Sequence, residues 1–308
     1  MQRIQRQEPE DIHLAHDALA WITRAKEPLS ISALTHALGI LEGDTEFHED
    51  GAPDPDSIIS VCAGLVTTHK QSSDNIEFGM AHPTLTKFFH RNPQLLSHKL
   101  QLLPQTCLTY LSIALGQVDS PRNEEDYPSW VHSTMAPLEL AYPLLRYACK
   151  YWPVHACELE STAGSFWKRT REFLCDKPSE LRLCIVIGGL VGCIPDSESA
   201  KLPPADISPM HLAVLFDLPI VATMLCAVEG FEFPDTNGNK PLSWAAYSDR
   251  TTIVEALLRI EPGPDLNHSH RYYWCNSATS CHARGAHRCD TGLVGYAWCR
   301  RNLCNNQW

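Results

Sequence analysis

Residues 208–225, SPMHLAVLFDLPIVATML, and residues 240–258, KPLSWAAYSDRTTIVEALL, are two copies of one pattern at an offset of 32 to 33 residues. A fixed period of that length marks a stack of small supersecondary units. In each copy a proline, Pro209 or Pro241, stands at the first helical position, where its missing N–H costs nothing. Ala213 and Ala245 are small enough to let two antiparallel helices approach. Ile220, Val221 and Leu225, like Ile253, Val254 and Leu258, read as the buried face of the second helix. Asp235-x-Asn237-Gly238 makes a tight turn between the copies, and Asp265-Leu266-Asn267 opens the next one.

Ser208-Pro209-Met210-His211-Leu212-Ala213 and Lys240-Pro241-Leu242-Ser243-Trp244-Ala245 resemble the T-P-L-H-x-A signature of ankyrin repeats. The resemblance implies a short ankyrin-repeat solenoid of about two repeats over residues 201–268. It also implies that His211 braces the turn and the neighbouring backbone. Such repeats offer a concave surface to protein partners. The turn tips Asp235, Thr236 and Asn239 are therefore the candidate partner-binding positions. Two repeats are fewer than the three or so that a solenoid needs, so a neighbour must cover one end. The helical stretch 162–194, with Leu181, Leu183, Ile185, Val186 and Leu190, is the expected cover. The far side is expected to leave Ile253, Val254, Leu257 and Leu258 partly uncovered.

Towards the N-terminus, DIHLAHDALAWITRA (11–25) has Ile12, Ala15, Leu19 and Ile22 at helical spacing, with Trp21 beside them. Glu27-Pro28 ends that helix. Ser30 caps a second, ISALTHALGI, and Asp56 is the expected cap of a third, SIISVCAGL. LVTTHK and NIEFGM read as a hairpin, followed by a helix in AHPTLTKFFHRN. Helix, helix, helix, hairpin, helix predicts a winged-helix domain over residues 1–94. A DNA-reading winged helix would carry bases on its third helix, but this one has no Lys or Arg and is approached through acidic PDPD. Residues 95–200 read as a helical linker domain. It is restarted at Pro104, broken by an exposed loop over 116–136, and rich in aromatics in one apolar helix, PLELAYPLLRYACKYWPVHACELE. Two further helices flank Asp176-Lys177-Pro178. The fold class is mainly α with one small β-hairpin.

The 308 residues are 44% apolar and 20% charged with a net charge of −11. That composition supports a buried core and argues against nucleic-acid binding through bulk charge. The strongly apolar run 183–194 is shorter than the roughly 20 residues of a membrane span. No signal peptide is read at the start, so a cytoplasmic chain is expected. Cys62, Cys107, Cys149, Cys157, Cys175, Cys184, Cys193 and Cys226 lie in helix-like surroundings and read as small hydrophobes.

Three groups of residues resemble the segment that follows the nucleotide-binding domain in fungal NACHT–ankyrin (NLR-like, STAND) proteins, a winged-helix region of GPI inositol-deacylase type. They are Ala18-Leu19-Ala20-Trp21-Ile22 with Glu27-Pro28-Leu29-Ser30; His82-Pro83-Thr84-Leu85-Thr86-Lys87-Phe88-Phe89; and Pro143-Leu144-Leu145-Arg146-Tyr147-Ala148 with Trp152 and His155. The resemblance covers roughly residues 1–268 and implies a relay between an ATPase and its repeat sensor. The phosphate loop GxxxxGK[ST] is missing. Gly188-Gly189-x-x-Gly192 reads instead as a site of close helix packing.

No catalytic residue, cofactor, metal site or small-molecule substrate is read from the remaining motifs. His13 and His16 read as solvent-exposed helix histidines. The 269–308 tail is irregular and Cys-rich. Cys281, His282, His287 and Cys289 fit no common zinc spacing, and back-translation suggests a shifted reading frame after about residue 270. The expected function is a non-enzymatic protein-interaction module. A truncated gene remnant and a winged-helix DNA-binding regulator are the alternatives.

Overall fold

The computed structural model of the protein describes residues 1–259 except 71–75, 117, 120, 122, 160–162, 196–199, 205 and 228–232. The tail from 269, with its zinc and reading-frame readings, and the turn start at 265–267 lie outside the described residues. The chain divides into two compact units, 1–119 with 128–159, and 120–127 with 160 onward.

In the first unit, α1 (Pro9–Arg24), α2 (Ile31–Gly39) and α3 (Pro55–Val61) precede an antiparallel hairpin, β1 (Val66–Lys70) and β2 (Ile76–Met80), and then α4 (Pro83–Arg91). This is the order expected from the sequence. The hairpin pairs Val66 with Met80 through Lys70 with Ile76. Ser30 caps α2 by accepting from Ala33 N at 3.1 Å. The cap of α3 is Asp54, not Asp56, because proline suits the first helical position and Pro55 supplies it. Asp54 Oδ2 then accepts from the N–H groups of Asp56 and Ser57. His16 departs from the exposed reading. It is half-buried, its Nε2 has no partner, and its ring sits 5.2 Å from that of His98. The neighbouring Asp17 pairs with Lys99.

The core of this unit is α5 (Leu102–Leu115) packed along α8 (Leu145–Ala156). α5 is apolar all round and is buried accordingly, including Leu103, Cys107, Tyr110 and Leu111. The expected linker boundary at residue 94 falls inside this unit, since α1 and α2 also pack on α5. The expected exposed loop over 116–136 is partly helical. α6 (Tyr127–Trp130) passes through one π turn, Val131–Met135, into α7 (Ala136–Ala141). Trp130 anchors it by donating its indole N–H to Asp119 O at 2.8 Å. The apolar stretch expected as one helix breaks at Tyr142, whose successor Pro143 disfavours helical backbone. Within α8, Tyr147 Oη accepts from Lys26 N at 3.1 Å and lies 2.7 Å from His155 Nε2. Burial drives the His155 imidazole down to about 3.

The second unit contains α9 (Gly164–Asp176), α10 (Pro178–Ile187), α11 (Pro209–Leu215), α12 (Pro219–Cys226), α13 (Pro241–Tyr247) and α14 (Thr251–Leu258). α10 ends in a Schellman turn. Leu190 N donates to Ile185 O and Gly189 N to Val186 O, with Gly189 at φ +69°. A Cβ on Gly189 or Gly192 would meet nothing within 4 Å, so neither packs a helix closely; Gly189 ends α10, and Gly192 lies inside the short 3-10 turn Val191–Cys193. The helix lying on α11 and α12 is α9, in which Phe166, Trp167, Phe173 and Leu174 are buried. The expected α10 surface packs against α9 instead.

α11–α12 and α13–α14 are the two sequence copies, and each helix pair turns on an aspartate. Leu218 N donates to Ala213 O around Asp217, and Arg250 N to Ala245 O around Asp249, both at 2.8 Å, with both aspartates at φ +56°. The true offset is therefore 32 throughout: Val221 matches Ile253 and Leu225 matches Leu257, all four fully buried. The sequence reading slipped by one in the second helix. Ile253 and Leu257 are not uncovered, whereas Leu258 is 44% exposed. Of the eight cysteines read as small hydrophobes, Cys62, Cys107, Cys149 and Cys184 are buried. Cys157, at the end of α8, is exposed.

Asp249 is exposed and strained, so Asp249→Gly is expected to stabilise the second unit by about 1 kcal/mol. Asp217→Gly relieves the same strain but deprives Arg250 Nη1 of a carboxylate at 2.7 Å, and is expected to gain less or to lose stability. Urea melts of both variants test the pair. A pH effect follows from His155. The unfolded imidazole takes a proton near 6.5 and the folded one only near 3. The unfolded chain thus binds more protons in between, and stability is lost as pH falls through that window. The loss from this group is up to about 1.4 kcal/mol per pH unit. His155→Leu is expected to flatten the urea-midpoint slope between pH 7 and 5; an unchanged slope counts against the assignment.

Candidate partner-binding surface

Residues 233–240, ahead of α13, form a finger whose shape is set by one carboxylate. Asp235 Oδ1 accepts from Asn237 N at 2.9 Å and from Asn239 N at 2.8 Å. Its Oδ2 accepts from the Trp244 indole at 3.0 Å. Asp235 N donates to Asn239 O at 2.9 Å and Gly238 N to Asp235 O at 2.8 Å. Gly238 stands at φ +85°, a conformation that favours glycine.

His211 ties this finger to the helix pair before it. Ser208 Oγ accepts from His211 N, and Ser208 N–H donates to His211 Nδ1 at 3.3 Å, a reciprocal cap of α11. With Nδ1 accepting, the ring proton resides on Nε2, which donates to Asn239 O at 2.9 Å. Burial holds the imidazole down to about 4, so it is neutral at physiological pH. The Trp244 ring meets it edge-on at 4.8 Å. His211 thus braces the turn and the backbone, as the repeat resemblance implies.

Of the three predicted tips, Thr236 alone is exposed. Asp235 is 4% exposed and Asn239 fully buried: the Asp235 carboxylate is consumed in closing the finger, and the Asn239 backbone N–H and C=O are both held there. The projecting groups are Thr236, Pro234 and Phe233, the last 68% exposed. Phe233 was missed; the available signal was an aromatic immediately before a Pro-Asp turn. Trp244 was also missed, although a Trp immediately after the motif's His position needs an acceptor for its indole N–H when buried. Among the described residues no three potential metal ligands converge, and no helix is long and apolar enough to cross a membrane.

Residues 237–268 match the ankyrin-repeat family. No curated protein and no solved structure matches the chain. The α13–α14 pair and the Asn237–Asn239 end of the finger lie within that ankyrin-repeat match.

Proposed function

We propose that this chain is a non-enzymatic protein-interaction module that presents the finger before α13 to a protein partner. The observation that carries the reading is the rigid finger itself. Asp235, Asn239 and His211 are buried in its hydrogen bonds, and Phe233 and Thr236 project from it. An exposed aromatic on a preorganised support suits an interface anchor, since little conformational freedom is lost on binding. The wider role we propose is that of a relay and sensor in a NACHT–ankyrin-type signalling protein. The helix–helix–helix–hairpin–helix order of the first unit, read as a winged helix, supports it. A nucleic-acid role is not favoured: the exposed face of α3 carries Asp56, Ser57 and Ser60, with no Lys or Arg.

The test is capture of partners by the full chain and by a Phe233→Ala/Thr236→Arg variant of unchanged melting temperature. A partner that uses the finger is expected to bind the variant at least about 30-fold more weakly, the effect of losing about 2 kcal/mol at a hot spot. Equal capture by both chains places the interface elsewhere and overturns the proposal.

A further inference from the structure

The finger contains an Asn-Gly pair, Asn237-Gly238, and its geometry bears on the chemistry of that pair. An asparagine deamidates when the backbone nitrogen of the next residue attacks its side-chain Cγ. The new C–N bond closes a succinimide, the side-chain nitrogen leaves as ammonia, and water then opens the ring at either carbonyl. The products are aspartate and isoaspartate. Glycine is the most permissive successor because it has no side chain to obstruct the attack and turns freely about its backbone. Asn237 is half-buried at the surface of the finger, within reach of water.

In the folded finger the nucleophile is held away from this reaction. Gly238 N donates to Asp235 O at 2.8 Å, so its proton and its peptide plane are both fixed. On either side, Asn237 N and Asn239 N are held by the same Asp235 oxygen, and Asn239 O is held by Asp235 N and His211 Nε2. Rotating the Asn237–Gly238 peptide to bring its nitrogen onto Cγ requires these bonds to open together. We infer that Asn237 is a latent, opening-gated modification site: protected while the finger is closed, and deamidated when it opens. The event is one-way. Isoaspartate adds a methylene to the main chain between two N–H groups that share Asp235 Oδ1, so the closed hydrogen-bond pattern cannot re-form. Aspartate at 237 instead places a second carboxylate beside the first.

The experiment incubates the full-length chain at pH 8 and follows the peptide spanning residue 237 by mass spectrometry, with isoaspartyl methyltransferase labelling to separate the two products. Asn237 is expected to deamidate at least about tenfold more slowly in buffer than in denaturing urea, because the closed finger reacts only through its open fraction. In sub-denaturing urea the rate is expected to rise with that fraction. Asp235→Ala, which leaves the Asn-Gly pair intact, is expected to accelerate the reaction in buffer towards the rate in denaturing urea. If the variant does not fold, the urea series on the unaltered chain decides. Equal rates in buffer and denaturing urea, or a folded Asp235→Ala chain as slow as the unaltered one, overturns the inference.

Discussion

A single carboxylate organises the second unit. Asp235 accepts from two backbone N–H groups of its own finger and from the Trp244 indole of the helix that follows. That closes the finger and presents Asn239 O to His211 on the preceding helix pair. One side chain therefore joins two consecutive helix pairs. Burying a polar group costs less when its hydrogen bonds are made, and the Asp235 carboxylate is satisfied by N–H groups of its own finger and by the indole of the helix that follows. Burial keeps His211 neutral, which leaves Nδ1 free to accept from the Ser208 N–H.

A second link between the pairs is the ion pair of Arg250 with Asp217, each on the turn of its own pair. Asp217 and Asp249 hold the same left-handed backbone, at a strain that glycine would not bear. At Asp217 the carboxylate also neutralises Arg250. At Asp249 no comparable bond compensates for the backbone. The first helix pair is covered by α9, so the repeats draw their apolar burial partly from a helix outside the repeat pattern.

The first unit places its polar groups differently. Tyr147, His155 and the Lys26 backbone form a chain of hydrogen bonds in an otherwise apolar core, and Tyr151 donates to Glu27 at 2.8 Å. These contacts tie the loop after α1 to α8, more than 120 positions along the chain. They account for the aromatic richness of α8, whose rings pack while their hydroxyls find partners. No local pattern announces such pairs.

Much of this protein was legible in its residues. Period, proline placement and Ser30 as a cap are local signals, and local hydrogen bonding and sterics produce the corresponding elements. The break at Tyr142 was legible in Pro143, whereas the 32-residue register of Ile253 and Leu257 was less so, because apolar side chains one position apart look alike until packing selects which is buried. The candidate site was half legible. The finger's location followed from Asp235-x-Asn237-Gly238, and His211 from its motif. Which residues project was decided by tertiary structure alone. Asp235 and Asn239 are polar, and polarity by itself argues for exposure, yet the Asp235 carboxylate is bonded by finger N–H groups and the Trp244 indole, and the Asn239 backbone carbonyl by His211. Phe233 is apolar, yet remains exposed. The sequence alone determined where the finger begins and turns. Only the folding of one helix pair against the next decided which of its side chains are used up inside it and which are left for a partner.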